Sequence, residues 1–249
     1  MPETSQMKVA IVTGSSRGIG RAIARRLSAD GMAVVLTGRD ESALAQAAAE
    51  TAPNSATIAL DLRQPAAAAQ LADFAIARFG RIDVLVNNAG ATKRGDFLAL
   101  TDDDWTDGFA LKFFGAVRLT RAAWPHLKAT CGSVVHISGI GGRTPGREFA
   151  IGGSVNAALL SFTKALAEQG IADGVQVNCI NPGAIRTDRL QLRLQKMMQA
   201  DAEQRFIQES GIVRVGEPEE IASLVSHILT QRFLHGSIID IDGGQTKSL

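Results

Sequence analysis

Short apolar, β-branched runs recur along the chain, each separated from the next by a stretch of helical periodicity, and this alternation constrains the fold more than any other feature. The runs are KVAIVTG (8–14), MAVVLTG (32–38), SATIALDL (55–62), IDVLVNNAG (82–90), GSVVHIS (132–138), VQVNCINPG (175–183) and SIIDIDGG (237–244). Between them the periodicity predicts helices over 18–30, 41–50, 66–79, 104–129, 153–172 and 217–231. Strands that are apolar at every position, rather than at alternate ones, must be covered on both faces. Helices between consecutive strands give right-handed crossovers and hence a parallel sheet. The expected fold class is α/β: a single-domain Rossmann fold with a doubly wound, parallel, seven-stranded sheet and helices on both faces. No repeat, low-complexity tract or linker interrupts residues 1–249, so they are read as one dinucleotide-binding domain.

The first strand runs directly into TGSSRGIG (13–20) and then a helix. Glycine at 14 permits a tight turn, at 18 it lets backbone approach a pyrophosphate, and at 20 it lets the helix pack on the strand. The helix N-terminus adds amide donors and a favourable dipole for phosphate. Gly14, Ser15, Ser16, Arg17, Gly18, Ile19 and Gly20 are therefore expected to bind a dinucleotide. An acidic residue at the end of the second strand would select NAD through the ribose hydroxyls. This chain instead has Gly38 and Arg39 there, with Arg17 in the loop, so two guanidiniums can meet a 2′-phosphate. The expected cofactor is NADP(H) in preference to NAD(H); the other reading of both arginines is as solvated loop residues.

The formal net charge is +1, which gives no support to a nucleic-acid or membrane-surface partner. Cys131 and Cys179 lack the spacing of a zinc site, so no metal is expected and a reducing compartment fits. No apolar run reaches the ~18 residues that span a bilayer, and residues 1–8 are polar rather than leader-like. The expected location is the cytoplasm.

TGSSRGIG, NNAG (87–90), NPGAIRT (181–187), RVGEPEEIA (214–222) and IDGG (241–244) occur in that order. Together they resemble the short-chain dehydrogenase/reductase family nearly end to end, from about Lys8 to Gly244. The resemblance implies that Asp61 and Leu62 flank the adenine, that Asn88, Ala89 and Gly90 line the ribose side, and that Pro182, Gly183, Ile185 and Thr187 hold the nicotinamide end. Asn87 would brace the sheet. Family members use an Asn, a Ser and a Tyr-x-x-x-Lys for proton transfer at a carbonyl. By the same alignment those positions hold Lys112, Gly139, Gly152 and Asn156 in this chain, which contains no tyrosine at all. Moving Phe149 into the tyrosine position puts Gly153 at the lysine position, and Phe carries no proton to give. Lys164 lies about 12 Å along the helix from Asn156, too far to replace the lysine.

Two residues remain as candidate catalytic groups. Lys112 is read either as a proton donor of lowered pKa or as a structural lysine bonding carbonyls at a helix break. Ser138, one step before the family serine position, is read as a possible substrate contact. His136 is expected in the core. The glycine-rich segment 139–148 is read as a remodelled pocket wall or as a flexible loop. Across 185–206, Leu190, Leu194, Met197 and Met198 form an apolar stripe, with Arg186, Arg189, Arg193 and Lys196 beside it. A substrate lid over about 185–212 is expected, its cations facing an anionic small-molecule substrate or simply solvent. Two functions follow: an NADP-dependent oxidoreductase of carbonyl or alcohol substrates with a non-standard active site, or a catalytically silent NADP(H)-binding protein acting as cofactor sensor or oligomer partner. The resemblance implies a homodimer or homotetramer formed through helices 104–129 and 153–172.

Overall fold

A computed structural model describes residues 7–195 and 201–246. The strands are β1 (Val9–Thr13), β2 (Ala33–Gly38), β3 (Ala56–Ala59), β4 (Val84–Asn87), β5 (Ser133–Ile137), β6 (Gln176–Pro182) and β7 (Ile238–Ile241). They form one parallel sheet in the order β3-β2-β1-β4-β5-β6-β7. The helices are α1 (Gly18–Ala29), α2 (Glu41–Ala48), α3 (Ala67–Phe79), α4 (Asp102–Phe109), α5 (Gly115–Ala129), α6 (Ala150–Asp173), α7 (Asp188–Gln195), α8 (Ala202–Ser210) and α9 (Pro218–Thr230).

Alternate residues of each strand point to opposite faces, and both faces are buried. Ala10 and Val12 of β1 pack with Ile23 and Leu27 of α1 and Ile221 and Val225 of α9. Val9 and Ile11 pack on the other face with Leu71 of α3 and Leu119 and Leu127 of α5. The strand order reverses between β1 and β4, so a crevice opens past their carboxyl ends, where open α/β sheets bind ligands.

Two elements differ from the sequence-based expectation in ways that shape that crevice. The helix expected over 104–129 begins at Asp102, behind a Thr101–Asp104 capping box, and is interrupted by a π-helical turn at Ala110–Phe114. That turn carries Lys112. Helix α6 begins at Ala150, so Gly152 and Gly153 lie within its first turn. Glycine's poor helix propensity, about 1 kcal/mol against alanine, is overridden here by close packing.

Candidate active site

The β1–α1 loop is locked to the end of β4. Thr13 Oγ1 accepts from the backbone amides of Asn88 and Ala89, each at 2.9 Å. The Asn88 side chain donates to the carbonyls of Thr13 (2.9 Å) and Gly14 (3.2 Å). Gly14 and Gly18 have φ of +64° and +53°, which side-chain-bearing residues rarely adopt. A Cβ on Gly20 would lie 2.3 Å from the Gly14 carbonyl oxygen. Arg17, the N-cap residue of α1, makes no side-chain cap bond and no acidic residue sits in the first turn, so the amides of this turn suit an anion.

A cavity of about 760 Å³ opens past this loop, a size suited to a small-molecule ligand. Gly14, Ser16, Arg17, Gly18, Ile19, Arg39, Asp61, Leu62, Asn88, Ala89, Gly90, Pro182, Gly183, Ile185 and Thr187 all line it, as do Lys112, Ser138, Gly139 and Asn156. Two expected binding residues stand behind this wall. Ser15 is fully buried and its Oγ accepts from the Thr37 amide at 2.9 Å, tying the loop to β2. Gly20 faces the Gly14 carbonyl and gives close packing rather than ligand contact. Asp61 spends its carboxylate on Arg63, whose Nη2 donates at 2.6 Å, and this partner holds it below the usual carboxylate range. Asn156 is buried, and among the described residues its Oδ1 has no partner. The glycine cradle, the uncapped helix and this orphaned acceptor together fit a nicotinamide dinucleotide.

At the other end of the cavity, Lys112 Nζ donates to the Ser138 carbonyl at 2.7 Å. Gly90 leaves room for the lysine stem, since a Cβ there would come within 2.7 Å of Lys112 Cδ. Burial, with repulsion from Arg189, brings the ammonium down to about 8. Ser138 Oγ donates to the Asn156 carbonyl at 3.0 Å, so its proton is engaged while its lone pairs are not. His136 is fully buried against Phe162 and Asn87, away from the cavity, and burial alone pushes it down to about 4. Asn87 also donates to Thr120 at 3.0 Å, a bracing contact.

The space that a side chain on Gly152 would use belongs to Phe149. A Cβ on Gly152 would lie 2.0 Å from the Phe149 ring, and one on Gly141 would lie 2.6 Å from it. A Cβ on Gly139 would meet the Asn156 amide nitrogen at 2.9 Å. Arg94 stands over the Phe149 ring, 3.9 Å from its centroid. Sequence reasoning gave neither Phe149 nor Arg94 a role. The available signal was the set of glycines around one aromatic residue, in a segment that forms a pocket wall: a 3₁₀ turn spans Ile140–Gly142, and Arg143 bonds Asp240 at 3.0 Å.

Within the expected lid, Leu190 packs in a cluster with Phe206, Ile212 and Val215, and Leu194 lies against it. Lys196, Met197 and Met198 lie outside the described residues. The cationic stripe divides. Arg186 turns away to Glu203 (2.7 Å) and Glu217 (2.9 Å), whereas Arg189 and Arg193 line the cavity.

A doubly wound sheet with a glycine-rich cradle at its switch point defines a nucleotide-binding protein of the Rossmann class. The family described as enoyl-(acyl carrier protein) reductase matches residues 14–246. An uncharacterized oxidoreductase of Mycobacterium tuberculosis is 36% identical over 96% of this chain and 92% of its own. The acetoacetyl-CoA reductase of Shinella zoogloeoides is 36% identical over 96% of this chain and 98% of its own. L-Sorbose reductase from Gluconobacter frateurii, solved with NADPH and L-sorbose, superposes with a TM-score of 0.92 at 30% identity and covers 100% of both chains. The chain belongs to the short-chain dehydrogenase/reductase family.

Proposed function

We propose that this protein is an NADP-dependent oxidoreductase that reduces a small carbonyl compound to its alcohol, with Lys112 as the proton donor. The observation that carries this reading is the Lys112 ammonium on the cavity wall, fixed by the Ser138 carbonyl. NADPH, when bound, supplies a hydride to the carbonyl carbon. Arg17 and Arg39 on the cavity wall suit its 2′-phosphate, and Gly38 offers no carboxylate to repel it. One ammonium proton is used on Ser138, leaving two to polarise the substrate oxygen and to transfer. With its pKa near 8 the group is charged at neutral pH yet acidic enough to give up a proton. Ser138 positions the lysine through its carbonyl and presents its hydroxyl lone pairs to the nascent alcohol.

Residues 1–249 act in this reading as one cytoplasmic domain with a lid at 185–212, assembled as a homodimer or homotetramer. The exposed Phe114, in the π turn just before α5, and Ile171, near the end of α6, suit such an interface. One observation favours a silent NADP(H)-binding protein instead: the Ser138 hydroxyl proton is already committed to Asn156. Screening aldehydes, ketones and acyl thioesters for NADPH consumption separates the two. Turnover is expected, with kcat falling above about pH 8 and dropping ~10²–10⁴-fold in Lys112→Ala while the NADPH Kd holds. No turnover with NADPH bound establishes the silent protein, and an equally active Lys112→Ala removes the lysine from the chemistry.

A further inference from the structure

Arg94, Arg189 and Arg193 line the same cavity, and among the described residues none of them has a carboxylate within ion-pair distance. Other arginines of the chain do hold a counter-ion: Arg63, Arg143, Arg186 and Arg214 each pair with an Asp or Glu. Like charges gathered without counter-ions are unfavourable, and burial together with the fields of Arg193 and Arg189 pulls the Arg94 guanidinium down, opposed by Glu148. Each group is nevertheless held in place. Arg189 Nη2 donates to the Gly90 carbonyl at 2.7 Å, and Arg193 lies over the Phe206 ring at 5.1 Å.

Arg94 has the most elaborate support. It lies over Phe149 at 3.9 Å, a cation–π arrangement that orients the guanidinium without using its donors. The loop carrying it is pinned to the Phe149 segment by the Gly95 amide donating to the Glu148 carbonyl at 3.1 Å. Phe149 in turn depends on Gly141 and Gly152, which supply the room for its ring. A set of substitutions around the family tyrosine position has therefore produced a platform for a cation.

We infer that Arg94 on its Phe149 platform, with Arg193 beside it, receives an anionic group, carboxylate or phosphate, carried by the substrate away from its reacting carbon. This rests on the carbonyl-reduction reading for the word substrate, while the anion site itself can be tested without turnover. A planar guanidinium with free donors pairs bidentately with either anion. Arg17 and Arg39 line the same cavity and are the pair suited to the cofactor phosphate, with Arg189 within the field of Arg17.

The test is calorimetric titration of the NADPH-saturated protein with matched pairs: 4-oxopentanoate against its amide, and dihydroxyacetone phosphate against dihydroxyacetone. At least one anion is expected to bind about tenfold or more tightly than its neutral partner, and the pair that responds distinguishes carboxylate from phosphate. Arg94→Gln should erase that ratio and leave the NADPH Kd unchanged. Phe149→Leu, which keeps apolar volume but removes the ring, should lower the ratio. If neither anion outbinds its neutral partner, or Arg94→Gln keeps the ratio, the site is overturned. Equal loss of NADPH affinity in Arg94→Gln also overturns it, by assigning the cluster to the cofactor. NADPH consumption followed in the same samples reports the reduction reading separately.

Discussion

The two ends of the cavity are both rich in glycine, but for different physical reasons. At the phosphate end the glycines are enforced by backbone: a Cβ on Gly20 would strike the Gly14 carbonyl at 2.3 Å, and one on Gly14 would stand 3.0 Å from Ala89 Cα. At the substrate end three of them, Gly152, Gly141 and Gly139, are enforced by side chains: the Phe149 ring against Gly152 and Gly141, and the Asn156 amide against Gly139. Backbone can yield only if β1 and β4 move, and β1 sits in the middle of the sheet with both its faces buried. Side chains can be exchanged while the helix that carries them stays in place. A cradle fixed by backbone is therefore less free to change than a cavity wall fixed by side chains.

The largest expected effect comes from testing the first half of that contrast. Gly20→Ala drives a methyl group into the Gly14 carbonyl and the Asn88 amide, which would lie 2.5 Å away. Displacing the loop should weaken NADPH binding about 100-fold, in line with 1–3 kcal/mol of overpacking placed directly on the cradle. Adding Asn88→Ala should fail to rescue it, because the carbonyl contact remains. Fluorescence titration of NADPH decides this, and wild-type affinity in the single variant would erase the distinction between the two ends.

Gly152→Ala probes the second half. It should destabilise the protein by about 1–3 kcal/mol in urea unfolding, and here the obstacle is a removable ring. In a Phe149→Ala background most of that cost should vanish, giving a coupling energy of about 1 kcal/mol or more. Strict additivity would mean that the Phe149 ring does not occupy the space beside Gly152.

A smaller effect is expected at the cofactor's ribose. Arg39→Asp replaces a cation on the cavity wall with the carboxylate that favours unphosphorylated ribose. The ratio of NADPH to NADH affinity should fall about tenfold, roughly 1.4 kcal/mol. An unchanged ratio assigns Arg39 to solvent.

The same contrast explains what was legible in the sequence. Strand spans and parallel topology follow from continuous apolar runs such as Val84, Leu85 and Val86, all buried, and the structure shortens the expected strands by only a residue or a few at their ends. The cradle was legible because its requirements act through the backbone and so appear as glycine at fixed spacing. RVGEPEEIA was legible for a similar reason: Pro218 and the Glu217–Glu220 capping box start α9, and the Gly216 amide bonds the Ala184 carbonyl. Neither the π turn at Ala110–Phe114 nor the Phe149 platform has such a local signature. Each depends on partners far along the chain, Ser138 for Lys112 and Arg94 for Phe149, which no periodicity connects. Ser15 lies within the glycine-rich motif, yet its hydroxyl accepts from the Thr37 amide and ties the loop to β2, a role that no local pattern announces.

The smallest expected effect is the one that isolates Lys112 without any substrate. Its ammonium is pushed down to about 8 from an ordinary value near 10.5. Below pH 8 both the folded and unfolded chains hold the proton, and the full cost of keeping the charge away from water is present. Between about 8 and 10.5 the unfolded chain binds more protons than the native one, so stability rises with pH across that window. The gain between pH 8 and 9 should be about 1 kcal/mol at most, since the side chain keeps some exposure. In Lys112→Met the residue has no proton to lose, so its unfolding free energy should lack this rise, and its offset from wild type should shift by that amount from pH 8 to pH 9. Parallel curves would show that Lys112 does not titrate in this window, and would remove it as the proposed proton donor.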